Sequence, residues 1–344
     1  MTPRFTITNA ITAALTQVER ARGFLEAAQL SDDWLTGMQQ RALVLEAHYS
    51  THIEGTHLTL DQAEKLLSGE ELAGVDPDDA RELLNYRHAF ELVAEYLGSG
   101  EPITEGLIRE IHKRLVRGVR GDTSSPGEYR RLQNYVANSL TKEIIYTPPS
   151  PLEVPAQMAD LVAWIGIETG VHPVLAAGIA QFQLVHIHPF VDGNGRTARL
   201  LSALYLYRTG YDFKRLFTIS EYYDRDRTAY YRSLQTVRER DLDLTGWLEY
   251  FTQGLAIQLT EVQRKGELLI RQDVLTLKYR LSSRQKAAVG LALEKAFGIQ
   301  DLEALFPGVN RRTLQRELKF LTESGLLVTR GATRNLSYAA ASSV

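Results

Sequence analysis

The chain has 344 residues, 44% of them hydrophobic and 24% charged, with 39 Lys and Arg against 42 Asp and Glu for a formal charge of −3. That length holds two or three domains and a large buried core, and the near-balanced charge gives no global reason to expect nucleic acid or an anionic membrane as the main partner, so any basic patch must be local. The absence of Cys excludes disulfides, cysteine nucleophiles and thiolate zinc sites and fits a reducing cytoplasm; no apolar run nears the roughly eighteen residues of a membrane span, and the first twenty residues lack a secretory pattern.

Residues 7–30 read as a helix, with Ile11, Leu15, Val18 and Ala21 on one stripe and Thr8 or Asn9 as cap. A second helix over 33–49 runs into Ser50-Thr51-His52-Ile53-Glu54-Gly55. A short helix at 61–68 and a loop at 69–78 precede a helix over 79–97, whose core candidates are Leu83, Leu84, Tyr86, Phe90, Val93 and Tyr96. Thr104 caps a helix over 105–116 that carries His112, read as structural. After a loop at 118–127, two short β-rich runs, Tyr129 to Val136 and Ile144 to Pro149, are consistent with a hairpin. An amphipathic helix at 154–168 then leads to His172-Pro173, which opens the next helix.

The stretch that organises the chain is His186-Ile-His188-Pro-Phe-Val-Asp192-Gly193-Asn194-Gly195-Arg196-Thr197-Ala-Arg199, a polar run between two apolar helical patterns. Pro189 biases His188 out of the right-handed helical region, so the first helix should stop there and leave the imidazole at a loop mouth. Gly193 and Gly195 let the backbone turn and approach a ligand closely. The second helix starts near 194–196, so its free N–H groups face the loop and suit an anion. Arg196 and Arg199, three apart, add two cations on one face. Asp192 is the carboxylate placed to hold a hard divalent cation between phosphate oxygens. A transition-metal site from His186, His188 and Asp192 is disfavoured, because His186 lies in the helical run and points to another face.

Residues 188–199 resemble the HPFx[D/E]GNGRxxR signature of the Fic family, with every defining position filled. The resemblance implies a reaction: AMP passes from Mg-ATP to a Ser, Thr or Tyr hydroxyl of a protein, or of the chain itself. In it His188 is the base, Asp192 the Mg2+ ligand, and Gly193, Asn194, Gly195, Arg196, Thr197 and Arg199 bind the phosphates. A near-neutral imidazole pKa would suit the base. Family kinases carry Lys at the Gly195 position, which argues against phosphorylation here, whereas removal of AMP from a modified protein remains compatible. The hexapeptide from Ser50 to Gly55 resembles the family's [S/T]xxxE[G/N] inhibitory motif, so Glu54 is expected to pair with Arg199 in place of a γ-phosphate. By the same resemblance the hairpin at about 130–149 is a flap that pins a target backbone.

Beyond the motif, Gly210 closes the second helix and Phe217 to Tyr231 begins a Tyr-rich one. The resemblance places Tyr231 against adenine, with Arg238 where the family often has an adenine-binding Asn. A long helix at 241–265 closes the core, and 276–281 looks like a boundary. Helices at 283–297, 299–306 and 311–323, the last capped by Asn310, followed by two strands, have the order of a winged helix. Residues 282–335 hold nine Lys or Arg against five Asp or Glu; Arg311, Arg312, Arg316 and Lys319 cluster on the third helix, with Arg330 and Arg334 on the wing. DNA, a docked protein or a second copy of the chain are its candidate partners. The expected architecture is therefore all-α: a helical region over 1–100 with the inhibitory motif, a Fic-fold bundle with its flap over 101–275, and a winged helix over 276–344.

Overall fold

The computed structural model of the chain describes residues 1–119, 125–137, 143–167, 170–332 and 335–342, with side chains at all of these except 97–99. The expected hairpin turn, part of the 118–127 loop and Arg334 lie outside the described residues. The chain divides into two compact units, one of Met1–Glu26 with Asp33–Thr260, the other of Ala27–Asp32 with Glu261–Val344. Among the described residues no helix is long and apolar enough to cross a membrane.

The first unit is built on two helices, α7 (Pro173–Ile187) and α8 (Asn194–Arg208), which pack along each other. Helix α7 is hydrophobic nearly all round, whereas α8 is polar up to Arg199 and apolar from Leu200 onward. On α7 the chain buries Val174, Leu175, Ile179, Phe182, Leu184 and Ile187; on α8 it buries Leu200, Leu201, Leu204 and Leu206. A helix apolar on every face belongs at a centre, and each such side chain contributes roughly 1.5–3 kcal/mol by leaving water. Around the pair lie α1 (Asn9–Ala27), α2 (Asp32–Ile53), α3 (Leu60–Leu67), α4 (Pro77–Ser99), α5 (Glu105–Val116) and α6 (Val154–Ile165). Helices α4 and α5 pack on α8, and α6 packs on α7. Gly178 is where α7 admits α11 (Thr245–Tyr279): a Cβ there would stand 3.0 Å from Leu248 and Phe251, and Trp247 donates Nε1–H to the Gly178 carbonyl at 2.7 Å.

Local chemistry accounts for most boundaries. Thr59 and Gln62 form a capping box at α3, Thr104 caps α5, and Asp76 with Pro77 starts α4. Two expectations are revised. The Tyr-rich helix is broken at Asp226 into α9 (Ser220–Arg225) and α10 (Arg227–Glu239), because the Asp226 side chain caps Ala229 and so starts a new helix. The long helix expected to end at 265 continues to Tyr279, running through a buried Gly266 that no Pro follows, so a lone Gly here does not act as a stop. The hairpin consists of β1 (Val136–Ala137) and β2 (Ile144–Tyr146), antiparallel, with Val136 opposite Tyr146.

In the second unit α12 (Ser283–Glu294), α13 (Ile299–Leu305) and α14 (Arg311–Glu323) precede β3 (Leu327–Arg330) and β4 (Ser337–Ala340). The strands pair antiparallel from Leu327 opposite Ala340 to Arg330 opposite Ser337. Its core gathers Val289, Phe297, Leu302, Leu314, Leu318, Leu321, Leu326 and Tyr338.

Candidate active site

Between α7 and α8 the loop from His188 to Gly193 is tied down at almost every residue. Helix α7 ends at Ile187, and His188 caps it in the left-handed region at φ 51, ψ 57. A non-Gly residue held there stores strain that its surroundings must sustain, and such residues concentrate at functional sites. Arg130, itself buried, supplies much of that support: its N–H donates to the Pro189 carbonyl at 2.8 Å and its Nε–H to the His188 carbonyl at 2.9 Å. The Asn194 amide closes the loop from inside, accepting the Phe190 N–H and donating to the Phe190 carbonyl, both at 2.9 Å.

From below, His112 stacks on Phe190 with centroids 3.7 Å apart and planes within 3°. Its Nδ1 accepts the Gly127 N–H at 2.9 Å, so Nε2 carries the proton and donates to the Asp192 carbonyl at 3.0 Å. Burial lowers the His112 pKa to about 4, keeping this tautomer neutral. Gly193 is required twice, by its φ of +74 and because a Cβ would lie 2.8 Å from Val116.

The two arginines of the motif part company. Arg196 turns inward to Glu82, NH1 to Oε2 at 2.7 Å with both side chains almost wholly buried, and reaches Asp192 at 3.3 Å. Arg199 faces Ser50 and Glu54: Nε donates to Ser50 Oγ at 2.8 Å, and NH2 donates to the Ser50 carbonyl at 2.9 Å and to Glu54 Oε1 at 2.7 Å. Burial works against the Arg199 charge, but Glu54, Tyr230 and Tyr86 more than offset it and raise the pKa. The Glu54 carboxylate also lies over the first turn of α8, since a Cβ on Gly195 would stand 2.2 Å from its Oε1.

The His188 imidazole is partly buried, with Nδ1 3.4 Å from the Val185 carbonyl. Its surroundings correct the near-neutral expectation: burial first, then the cations Arg238 and Arg130, lower its pKa to about 4 against the opposing pull of Val185 and Glu54. Above it, Tyr146 of β2 donates its hydroxyl to the His186 carbonyl at 2.7 Å, and the Arg238 guanidinium lies 3.6 Å over the Tyr146 ring. Thr197 is buried, and its N–H and hydroxyl both bond the Gly193 carbonyl, so the amides left over in the first turn of α8 are those of 194–196. Tyr231 is half exposed with its hydroxyl 3.4 Å from the Ile53 carbonyl, whereas Tyr230 is buried and stacked on Tyr223.

The structure therefore brings Gly195 and Arg199 onto Ser50 and Glu54, sets His188 and Tyr231 within the electrostatic influence of Glu54, and engages Arg196, Asn194 and Thr197 in holding the loop. Sequence reading missed Arg130, Glu82 and the role of His112, each a single side chain arriving from far along the chain with no motif around it. Among the described residues no three His, Asp or Glu side chains cluster as a protein-only metal cage. The half-exposed Asp192 carboxylate at the loop mouth fits a cation whose other ligands are phosphate and water oxygens, the habit of Mg2+.

The Fic/DOC family model matches residues 102–206, and the Fic/DOC family N-terminal model matches residues 9–95. The Protein adenylyltransferase Fic of Culex quinquefasciatus is 31% identical over 230 residues, covering 66% of this chain and 43% of that protein. Its namesake from Drosophila melanogaster is 32% identical over 231 residues, covering 66% and 44%, so the chain spans less than half the length of these curated relatives. Among solved structures, a Fic family protein from Desulfovibrio desulfuricans G20 shares the fold over 99% of both chains, with a TM-score of 0.67 at 22% identity. Fic-1 from C. elegans aligns over 76% of this chain and 73% of its own, with a TM-score of 0.63 at 26% identity. With both family models matched in order, on either side of a loop that carries the whole signature, the chain belongs to the Fic/DOC family.

Proposed function

We propose that this chain is a protein adenylyltransferase, moving AMP from ATP to a hydroxyl side chain of a protein, and that the conformation described above is its inhibited one. The observation that carries the reading is the contact of Glu54 with both Arg199 and the first turn of α8, a carboxylate lying where a terminal phosphate would go. An oxyanion at a helix N-terminus beside a buried guanidinium is the arrangement that binds polyphosphate, and Glu54 supplies it from within the chain.

In the reaction the target hydroxyl gives its proton to His188 as its oxygen attacks the α-phosphorus. The new P–O bond forms while the bond to the β-phosphate bridging oxygen breaks, and pyrophosphate leaves. With Nδ1–H directed at the Val185 carbonyl, Nε2 is the basic atom. Held neutral by burial and by neighbouring cations, the imidazole is ready to accept a proton, and bound polyphosphate, being anionic, raises its proton affinity as the hydroxyl arrives. The amides of 194–196 and Arg199 would stabilise charge on the phosphates. Asp192 would hold Mg2+, which supplies charge neutralisation between phosphate oxygens. The half-exposed Tyr231 ring offers a stacking face for the base, and the β1–β2 hairpin, anchored through Arg130 and Tyr146, would align the target. We assign the second unit, three helices followed by a hairpin, to the winged-helix class, and a cytoplasmic setting accords with the lack of Cys.

The test is intact-mass spectrometry of the Glu54→Gly chain with Mg-ATP and a protein extract, beside the same variant carrying His188→Ala. A gain of one AMP on a protein or on the chain itself, lost in the double variant while ATP binding persists, is expected. Gain of a phosphate mass, or AMP transfer undiminished by His188→Ala, overturns the reading.

A further inference from the structure

Charge in this chain is segregated. Of its Lys and Arg the second unit holds 14, against 9 Asp and Glu, a balance of +5; the first unit holds 25 against 33, a balance of −8. Much of the positive excess stands on one helix. On α14 the inward stripe is Leu314, Leu318 and Leu321, all buried, and the opposite ridge is Arg312, Gln315, Arg316 and Lys319, all exposed. Those four share the i, i+3, i+4, i+7 spacing of one helical face. Neither Arg312 nor Arg316 makes an ion pair among the described residues, and Lys319 has only the exposed Glu323 at 3.6 Å. Arg311, by contrast, is turned aside to Glu303 at 2.9 Å and drops out of the ridge. Strand β3 packs on α14 and ends at the exposed Arg330, also unpaired among the described residues.

We propose that this ridge of α14, with Arg330 at its flank, binds duplex DNA. The shape and composition select that partner over other polyanions. Thirteen residues make a rod about 20 Å long, and the B-DNA major groove, about 12 Å wide, admits one helix. On a duplex of mixed sequence all four cations suit phosphates, and Arg and Gln are also side chains that read base edges in that groove. An anionic membrane would need an apolar strip beside the charges, and single-stranded RNA would need aromatic rings to stack its bases. Beside the ridge stands one exposed ring, Phe320, four residues after Arg316, which is short of an apolar strip or of a platform for successive bases. This inference does not rest on the transferase reading and is assayed without ATP.

The experiment is fluorescence anisotropy of the full chain with a fluorescein-labelled 24-base-pair DNA duplex of mixed sequence, titrated at about 50 to 200 mM salt. Each phosphate contact lowers the slope of log K against log salt by about 0.9, so four cations give a slope near −3 to −4. Arg312→Ala with Arg316→Ala should weaken binding at least tenfold and make the slope shallower by about 2. Arg312→Lys with Arg316→Lys should keep the slope, as should Arg264→Ala with Lys265→Ala, an equal charge removed from α11. No binding at about 50 mM salt and 100 µM protein, an equal loss in the α11 variant, or tighter binding to single-stranded RNA or phosphatidylserine vesicles than to the duplex overturns the proposal.

Discussion

If Glu54 holds Arg199 in the place of a terminal phosphate, the strength of that hold sets how far its removal should raise the rate. Two unit charges about 4 Å apart attract by about 4 kcal/mol at the effective dielectric of about 20 that suits pairs in proteins. Arg199 is almost wholly enclosed, but the Glu54 side chain is 26% exposed, so solvent takes part of that attraction. About 2–3 kcal/mol remains as the hindrance a γ-phosphate must overcome, and at tenfold per 1.4 kcal/mol the Glu54→Gly chain should transfer AMP roughly 30–100 times faster. Glu54→Gln separates charge from bulk. It keeps an acceptor for Arg199 NH2 and keeps the side chain over Gly195, so a rate between wild type and Glu54→Gly is expected. A radiolabelled-ATP assay at Mg-ATP well below its KM, where a competitor is not outrun by excess nucleotide, reads all three. Equal rates for wild type and Glu54→Gly would refute the competition for Arg199 altogether; a Glu54→Gln rate equal to wild type would leave a steric block and remove the electrostatic one.

Further outcomes follow from the same contacts. In the Glu54→Gly background kcat/KM should be flat between pH 5 and 8, because a base with a pKa of about 4 is already deprotonated over that range; a tenfold fall per unit below pH 6.5 would show that His188 is not held down. Arg238→Met should raise KM for the protein acceptor while leaving KM for ATP alone, since it removes the cation over Tyr146, a contact of about 1–2 kcal/mol when desolvated, from the base of the hairpin; a rise in KM for ATP instead would put Arg238 at the nucleobase. For stability, His112 is lowered in the folded chain, so the unfolded chain binds the extra proton first: stability present above pH 6.5 is lost as the pH falls towards 4, by up to about 3 kcal/mol. His112→Asn, measured by thermal melting, should lower Tm at pH 7.5 and flatten its decline towards pH 5.

What could be read from the chain beforehand follows from how local each feature is. The signature from His188 to Arg199 is written in consecutive residues, and it is flanked by apolar helical runs, Val174 to Ile187 before it and Leu200 to Leu206 after it. The pairing of Ser50 and Glu54 with Arg199 was accessible only because two short patterns, 145 residues apart, are both specific enough to be matched to one family. By contrast, the partner of Arg196 is a lone Glu82 on a helix with ordinary charge patterning, and nothing periodic or motif-like marks it. The same is true of Arg130, which holds the His188 and Pro189 carbonyls from a segment that reads as a short strand. Long-range hydrogen bonds between single side chains leave no local trace, so sequence reading assigned both motif arginines to phosphate by default.

That division between the arginines bears on how the site, if it is inhibited as proposed, would open. Removing one member of a buried pair leaves an uncompensated charge at roughly 3–5 kcal/mol, and both Arg196 and Glu82 are sealed from solvent, so no ligand can compete for Arg196 without that loss. Arg199 is differently placed. Ser50 holds Nε and shares NH2 from within the helix, and among the described residues NH1 makes no hydrogen bond. Glu54 itself lies past the end of α2, on a turn closed by the bonds from Glu54 N–H to Thr51 and Gly55 N–H to His52, with Gly55 at φ +107. Helix α2 is meanwhile held by the buried Glu46, which accepts from Thr218, Ser220 and Tyr86. A polyphosphate can therefore exchange with Glu54 by displacing one turn while α2, Ser50 and the arginine stay where they are. The exchangeable partner is the one at the end of the helix, and the permanent partners are those within it.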